Sequence, residues 1–400
     1  EVGAEDSIRE TVEREGLREE EWVVGIHAGA SLEDRRWPAA SFADLADRLA
    51  DRWNARILLF GVRSESALAE EIMQRMQRKD RVLNLTGQTR LAQLVAWLKR
   101  CRYLVSNDTG PMHLAAALGV KIVGLFFAHA HPYETAPYVP GNLIFQARIP
   151  CAPCSYGVHC NHIVCIHKVT PEQVCSMVET HARAGKWEVP PGLGSLPEVH
   201  IFETGTDPED LLVLRPLLRH PVTLDDVFRT GYARLWPHVL SDIPGDLDEQ
   251  RLTSLVSQLR NDYDCRLLTL LLPKIQEKIG VLQKLREWAE QGIRTAEQIL
   301  QIEPGTGRGI SPLKQLGDTV SRVDEEIGRI ACTHPEIRPL ADLFAKRKEN
   351  LQGEDVRALA QGSQECYAKL DRESSFLRKI LERVIREFEA GADGEGQAET

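Results

Sequence analysis

The sequence predicts an α/β chain, a doubly wound parallel sheet followed by an α-helical domain. Three observations carry this. Between residues 22 and 184 short apolar runs alternate with amphipathic segments, the pattern of buried parallel strands and their covering helices. Polar, turn-prone residues gather directly after the apolar runs, where sheets of this kind bind ligands. Beyond Pro197 the periodicity becomes almost purely helical.

Strands are expected at residues 22–27, 56–60, 82–85, 103–106, 121–126 and 143–146. Between the first two, Ser41 reads as the cap of a helix reaching Arg52, with Phe42, Leu45, Ala46 and Leu49 forming one apolar face. Further helices are expected over 91–100 and 111–118, and from Pro171 behind a Thr170 cap. The stretch Val189-Pro190-Pro191-Gly192-Leu193-Gly194-Ser195 reads as a linker. Thr223 opens a helix, and charged amphipathic runs cover 247–301 and 320–389, interrupted at Glu303-Pro304-Gly305-Thr306-Gly307-Arg308-Gly309. The expected division is therefore a sheet domain at 1–186, a linker at 187–200, a helical domain at 201–390 and a disordered polar tail at 391–400.

The 400 residues carry a formal charge of −10, which argues against a nucleic-acid binder and requires an anionic ligand to find local positive charge. No apolar run approaches the ~20 residues that span a bilayer, and the acidic start has no signal-peptide character. The chain reads as cytoplasmic. It lacks an initiator Met and reaches its first strand within about two dozen residues, so a fragment or processed chain is expected.

The most informative segment is Ser106-Asn107-Asp108-Thr109-Gly110-Pro111-Met112-His113-Leu114-Ala115-Ala116. It joins a strand to a helix whose first backbone N–H groups lack intrahelical partners and carry the positive end of the dipole. Gly110 permits close approach of a phosphate, and Thr109 adds a hydroxyl donor. The first strand empties into His27-Ala28-Gly29-Ala30-Ser31-Leu32-Glu33-Asp34-Arg35-Arg36-Trp37-Pro38, a small-residue loop followed by two guanidiniums. Glu65 follows the second strand, placed to accept from ribose hydroxyls, and Asn84-Leu85-Thr86-Gly87 ends the third.

Together these loops resemble glycosyltransferase family 9, the lipopolysaccharide heptosyltransferases, over about residues 5–183. The Leu91-Ala92-Gln93-Leu94 helix, the Pro137-Tyr138 pair and a cysteine segment before Thr170-Pro171-Glu172-Gln173-Val174 extend the likeness. The resemblance implies the C-terminal, donor-binding, Rossmann-like half of a GT-B fold. It also implies inverting transfer of heptose from ADP-heptose to a glycan or lipid-linked glycan acceptor at the cytoplasmic face of the inner membrane, with no catalytic metal or other cofactor. By the motif match Asp108, Thr109 and Gly110 would meet the donor's diphosphate and sugar, with Ser31 in the first loop and His113 close by. Arg35 stands where the family usually has Lys, and a planar fork is not a point charge. Glu65 would contact the ribose. The family's acceptor-activating carboxylate belongs to the N-terminal half, so the base is expected in an absent N-terminal half and this chain alone is expected to be catalytically incomplete.

Plainer roles stand beside these. Asp108 and Glu65 also suit helix starts, His113 a hydrogen-bonded core position, and His27 a purely structural one. Arg36 and Trp37 suit packing, with Trp37 over the sheet edge, and Asp44 and Asp47 suit solvated positions. Cys151, Cys154, Cys160 and Cys165, with His159, His162 and His167 interleaved, match the ligand count of a structural Zn²⁺ site, against free thiols packed under a loop. Cys101, Cys175, Cys265, Cys332 and Cys366 read as buried thiols. In the helical half, Arg215, Arg219, His220, Arg229, Arg234, Trp236 and His238 offer a basic-aromatic surface for an acidic glycan or a membrane face, against an ordinary bundle with solvated charges. Two functions follow: a heptosyltransferase-like enzyme part, or a non-catalytic nucleotide-sugar-binding or scaffolding module whose helical half binds partners.

Overall fold

A computed structural model describes residues 2–155, 157–158, 160–193, 195–207, 210–240, 249–302, 310–353 and 355–395. The chain divides into two compact units, Glu1–Arg219 and His220–Thr400. The interruption expected at 303–309, His159 and the last five residues of the expected tail lie outside the described residues.

The first unit runs α1 (Val2–Arg14), β1 (Val23–His27), α2 (Ala39–Trp53), β2 (Arg56–Phe60), α3 (Ser66–Arg75), β3 (Val82–Asn84), α4 (Leu91–Lys99), β4 (Tyr103–Asn107), α5 (Gly110–Ala117), β5 (Lys121–Phe126), α6 (Pro132–Thr135), β6 (Leu143–Ala147), α7 (Pro171–Ala184), β7 (Val199–Thr206) and β8 (Leu212–Pro216). The sheet order is β3-β2-β1-β4-β5-β6-β7-β8. The first six strands pair in parallel, and β7 and β8 join antiparallel.

The central strands are apolar on both faces because helices cover both. Val24, Ile26, Ile57, Leu59, Val105 and Val123 point into one core with Trp37, Phe42 and Leu45. Val23, Leu58, Leu104 and Ile122 point into the other with Trp97 and Met112. Alternation along each strand thus sorts side chains between two cores.

Several expectations change. The helix starts at Ala39 behind Pro38, whose carbonyl accepts from the N–H groups of Ser41 (2.9 Å) and Phe42 (3.1 Å), so Ser41 lies inside α2 and caps nothing. Thr170 does cap α7, with Gln173 returning a bond to its N–H (2.9 Å). Asp47 is not merely solvated: it accepts from the N–H groups of Gln77 and Arg78, whereas Asp44 is exposed and pairs with Arg48 at 2.8 Å. Residues 187–200 do not form a free tether. Trp187 is buried, and β7 extends the sheet through pairs such as Phe145 with Ile201. The domain boundary accordingly falls at Arg219, not before 201. Trp37 is wholly buried in the core, not laid over a sheet edge.

The second unit contains α8 (Leu224–Leu240), α9 (Glu249–Asp262), α10 (Leu272–Leu300), α11 (Ile310–Thr333), α12 (Arg338–Glu349) and α13 (Val356–Glu395). Thr223 opens α8 through a reciprocal pair: its N–H donates to Asp226 Oδ2 (2.9 Å), and the N–H of Asp226 donates to Thr223 Oγ1 (3.2 Å). Residues 391–395 continue the backbone of α13, although they were expected in the tail. Part of the expected basic-aromatic surface is drawn inward: His220 and His238 are buried, Arg229 pairs with Asp226, and Trp236 stacks on Tyr232 with centroids 5.1 Å apart, while Arg215 lies on β8 of the first unit. Cys101, Cys175 and Cys366 are buried as expected, but Cys265 is half-buried and Cys332 exposed. Among the described residues, no three of Cys151, Cys154, Cys160 and Cys165 stand where one metal ion could be held. Among the described residues no helix is long and apolar enough to cross a membrane.

Two glycines of α10 give opposite predictions. A Cβ on Gly292 would stand 2.5 Å from ring carbons of the fully buried Tyr367 on α13, so Gly292→Ala should lower stability by about 1–3 kcal/mol. A Cβ on Gly280 would meet nothing within 4 Å, so Gly280→Ala should raise stability by about 0.5–1 kcal/mol. Denaturant unfolding of the two variants checks the signs.

Candidate functional site

The parallel pairing sets His27 beside Ser106, so the loops leaving β1 and β4 emerge side by side. The residue that joins them is Asn107, which is completely buried. Its side-chain N–H₂ donates to the carbonyls of Ala28 (2.7 Å) and Gly29 (3.2 Å), while its Oδ1 accepts from the N–H of Trp37 (3.1 Å). Trp37 is held at its other end, where Nε1 donates to the carbonyl of Val169 (2.9 Å). Sequence reasoning did not single out Asn107. An amide at a strand end was the available signal, but its three partners lie some seventy residues upstream.

This clasp sets Arg35, two residues before Trp37, against Asp108, one residue after Asn107. Arg35 Nη2 donates to the carbonyl of Asp108 (3.0 Å) and pairs with its carboxylate, and Nη1 donates to Ser31 Oγ (3.1 Å). Thr135 on α6 donates to the same carboxylate at 3.0 Å. Asp108 therefore does not cap α5; Thr109 occupies the cap position and makes no side-chain cap bond. The space over Gly110 is open, since an added Cβ there would meet nothing within 4 Å.

Thr109 differs from expectation. Its hydroxyl is turned inward, 3.2 Å from His27 Nδ1 and 3.2 Å from Ser106 Oγ, so a ligand would meet the backbone of this turn before the hydroxyl. His27 takes the structural place expected of it, its buried ring linking two of the loops. Nε2 stands 3.8 Å from Glu65 Oε2. Burial pushes the His27 pKa below its ordinary value, and the Glu65 carboxylate only partly opposes this. A neutral ring with its proton on Nε2, facing the carboxylate, leaves Nδ1 to accept from Thr109. Glu65 sits in the short 3-10 turn Arg63–Glu65 and bends back to accept from the N–H of Val62 (2.8 Å). It fills the space over Gly29, where a Cβ would come within 1.7 Å of its Oε1. His27, Glu65, Thr109, Asp108, Arg35 and Ser31 are thus brought together.

His113 is not brought in. It is exposed on α5, and its ring makes no side-chain hydrogen bond among the described residues. Arg36 is spent on its own loop, donating to the carbonyl of Ala30 at 2.9 Å.

A cavity of about 330 Å³ opens at the carboxyl ends of β1, β2 and β3, between His27, Gly61 and Pro111 on one side and Arg63, Thr89 and Arg90 on the other, with Val62, Leu91 and Leu94 as apolar wall. Arg63 and Arg90 are exposed, and neither guanidinium has an ion pair among the described residues. Neither was singled out from the sequence, where each is one arginine among many.

Asn107→Ala removes three hydrogen bonds and strands the buried N–H of Trp37. A loss of about 1–3 kcal/mol in the stability of the first unit is expected in denaturant unfolding, and an unchanged midpoint would remove the clasp from this description.

Residues 4–161 match the family model of glycosyltransferase family 9 (heptosyltransferase). The chain is 31% identical over 163 residues to lipooligosaccharide heptosyltransferase 2 of Campylobacter jejuni, covering 40% of this chain and 50% of that protein. It is 39% identical over 119 residues to lipooligosaccharide heptosyltransferase 2 of Haemophilus ducreyi, covering 29% of this chain and 34% of that one. Among solved structures, Escherichia coli ADP-heptose lps heptosyltransferase II is 27% identical, with 44% of this chain and 50% of that chain covered at a TM-score of 0.38. The chain spans half the length or less of these curated relatives. Residues 4–161, which carry Arg35, Glu65, Asn107 and Asp108, are therefore similar to family 9 heptosyltransferases, and the helical unit lies beyond the family match.

Proposed function

We propose that the first unit is the donor-binding part of a heptosyltransferase-like enzyme of family 9 type. In this reading heptose or a related sugar passes from an ADP-sugar, with inversion, to a lipopolysaccharide or other surface-glycan acceptor. The carrying observation is the Arg35–Asp108 pair at the start of α5, beside a cavity at the carboxyl ends of the strands. The similarity of residues 4–161 to heptosyltransferases supports the reading.

The chemistry follows from these groups. Breaking the anomeric C–O bond leaves negative charge on the nucleotide diphosphate, and preorganised N–H donors with a guanidinium stabilise that charge as it grows. The open start of α5 over Gly110 offers the donors, and Arg35 offers the cation. An arriving phosphate either shares Arg35 with Asp108 or displaces the carboxylate, which is then free to accept from sugar hydroxyls. Glu65, beside the cavity, is the acceptor for ribose hydroxyls. The apolar wall of Val62, Leu91 and Leu94 suits one side of a purine, with the guanidiniums of Arg63 and Arg90 at its rim. Transfer in this reading needs no metal or cofactor from these residues. The carboxylate that deprotonates the acceptor is assigned to no residue of this chain. Action at the cytoplasmic face of the inner membrane, on a glycan or lipid-linked glycan, is part of the same proposal.

Calorimetric titration with ADP-heptose, ADP and UDP-sugars tests the reading. ADP-heptose and ADP should bind, and Arg35→Ala and Asp108→Ala should each weaken them about tenfold or more, equivalent to ~1.4 kcal/mol. Binding of none of these nucleotides would overturn the donor site and leave a scaffolding module. His27 gives a separate pH prediction. Its folded pKa is depressed, so the unfolded chain takes up the proton first, and stability falls as pH drops below about 6.5. His181 is shifted the same way by burial and contributes in the same window. Thermal midpoints between pH 7.5 and 5.5 should fall less steeply in His27→Gln than in the parent, and parallel slopes would contradict the assignment.

A further inference from the structure

Asp108 is gripped from both sides. Strand β4 pairs in parallel with β1 and with β5, so the connections leaving all three strands emerge in a row at one end of the sheet, with Asp108 in the middle. Arg35 reaches its carboxylate from the β1 side. Thr135 reaches it from the β5 side, donating from Oγ1 to Asp108 Oδ2 at 3.0 Å across 27 positions of sequence.

Thr135 is fixed in this place by its own short helix. α6 starts behind His131, whose Nδ1 accepts from the N–H of Tyr133 (3.3 Å), and closes where the N–H of Ala136 donates to the carbonyl of Pro132 (3.0 Å). Pro132 and Ala136 are buried, which seats the turn, and branching at Cβ restricts the Thr135 side chain further. The hydroxyl has one proton and two acceptors in reach, the Asp108 carboxylate and the carbonyl of His131 at 3.3 Å. That carbonyl already accepts from the N–H groups of Glu134 (2.9 Å) and Thr135 (3.1 Å), and a carboxylate is the stronger acceptor, so the proton goes to Asp108.

Both grips close on the same oxygen. Arg35 and Thr135 each address Oδ2, while Oδ1 receives no donor among the described residues and is not enclosed. We propose that Thr135 is a positioning residue for the donor sugar, a role that rests on the donor-site reading: by holding Oδ2 it turns Oδ1 of Asp108 towards the hydroxyls of a nucleotide-linked sugar. A carboxylate oxygen only accepts, so sugar hydroxyls are its natural partners. When a diphosphate draws on Arg35, two anions compete for one guanidinium, and the carboxylate loses part of the partner that held it. Thr135 is a neutral donor on the other side, and it keeps Oδ2 in place while Arg35 is shared. A nucleotide without a sugar offers Oδ1 nothing and gains nothing from this orientation. Thr135 therefore acts on the preference for ADP-sugar over ADP, not on nucleotide affinity as such.

Calorimetric titration of the full chain with ADP-heptose and with ADP reads this role as a ratio of affinities. Thr135→Val, which keeps the shape and removes the hydroxyl, should weaken ADP-heptose about fivefold to tenfold while ADP changes by less than about twofold. Thr135→Ser should restore the parent's ratio. In an Asp108→Ala background Thr135→Val should cause no further loss for either ligand, because its effect passes through that carboxylate. If Thr135→Val does not fold, Thr135→Ala carries the same comparison, and thermal midpoints separate lost stability from lost sugar preference. An unchanged ratio of the two affinities, or a Thr135→Val loss that persists without Asp108, would overturn the role of Thr135 and leave the donor site standing. A parent that binds neither ADP nor ADP-heptose would remove the donor site itself, and this role with it.

Discussion

The buried amide of Asn107 is the interaction on which the rest of the candidate site depends. It stands at the end of β4, where parallel pairing has already brought β1 alongside, and it satisfies two carbonyls of one loop and the Trp37 N–H of the same loop's far end. Every donor and acceptor in that exchange is inside the protein, so leaving any of them unpaired would cost desolvation without return. The loop from Ala28 to Trp37 is thereby pinned at both ends, and Trp37 carries the pin into the core beside Phe42, ring edge to face at 5.0 Å. Arg35 and Asp108 meet because each is one or two residues from this clasp.

The electrostatics of the site follow from the same geometry. The chain is acidic overall, yet its strand ends gather Arg35, Arg63 and Arg90, together with the start of α5. Arg35 is already balanced by Asp108, which keeps a partly buried guanidinium stable without a ligand. His27 stays neutral under burial, although a carboxylate stands 3.8 Å away. The unpaired positive charge is thus displaced to the cavity rim, in the more exposed arginines, where solvent lowers the cost of holding it.

The helical unit is organised by a different constraint. Its core is continuous through α8, α10 and α13, and it encloses polar pairs. Glu373 is fully buried with Arg347 Nη1 at 2.7 Å from its Oε1, and Asp324 accepts from Tyr367. Burial pushes the Glu373 carboxyl above its usual range despite the neighbouring cations. Such pairs add little net stability, but removing one partner is expensive.

Local pattern determined much of this protein. The first six strands, the Thr170 cap, the opening of α8 at Thr223 and the polar turns after β1 and β4 were legible because period, capping and turn chemistry are properties of neighbouring residues. Strands β7 and β8 were not legible, because they are stabilised by antiparallel pairing onto β6 and by Trp187 packing, neither of which is local. Of the residues picked for the site, Ser31, Arg35, Glu65, Asp108 and Thr109 do converge, while His113 stays outside and the Thr109 hydroxyl faces inward. Which strand-end side chains would converge was written in residue type; which would pair was not. Arg35 and Asp108 are 73 positions apart, and their partnership is decided only when parallel strands bring two loop ends within hydrogen-bond reach and Asn107 locks them there.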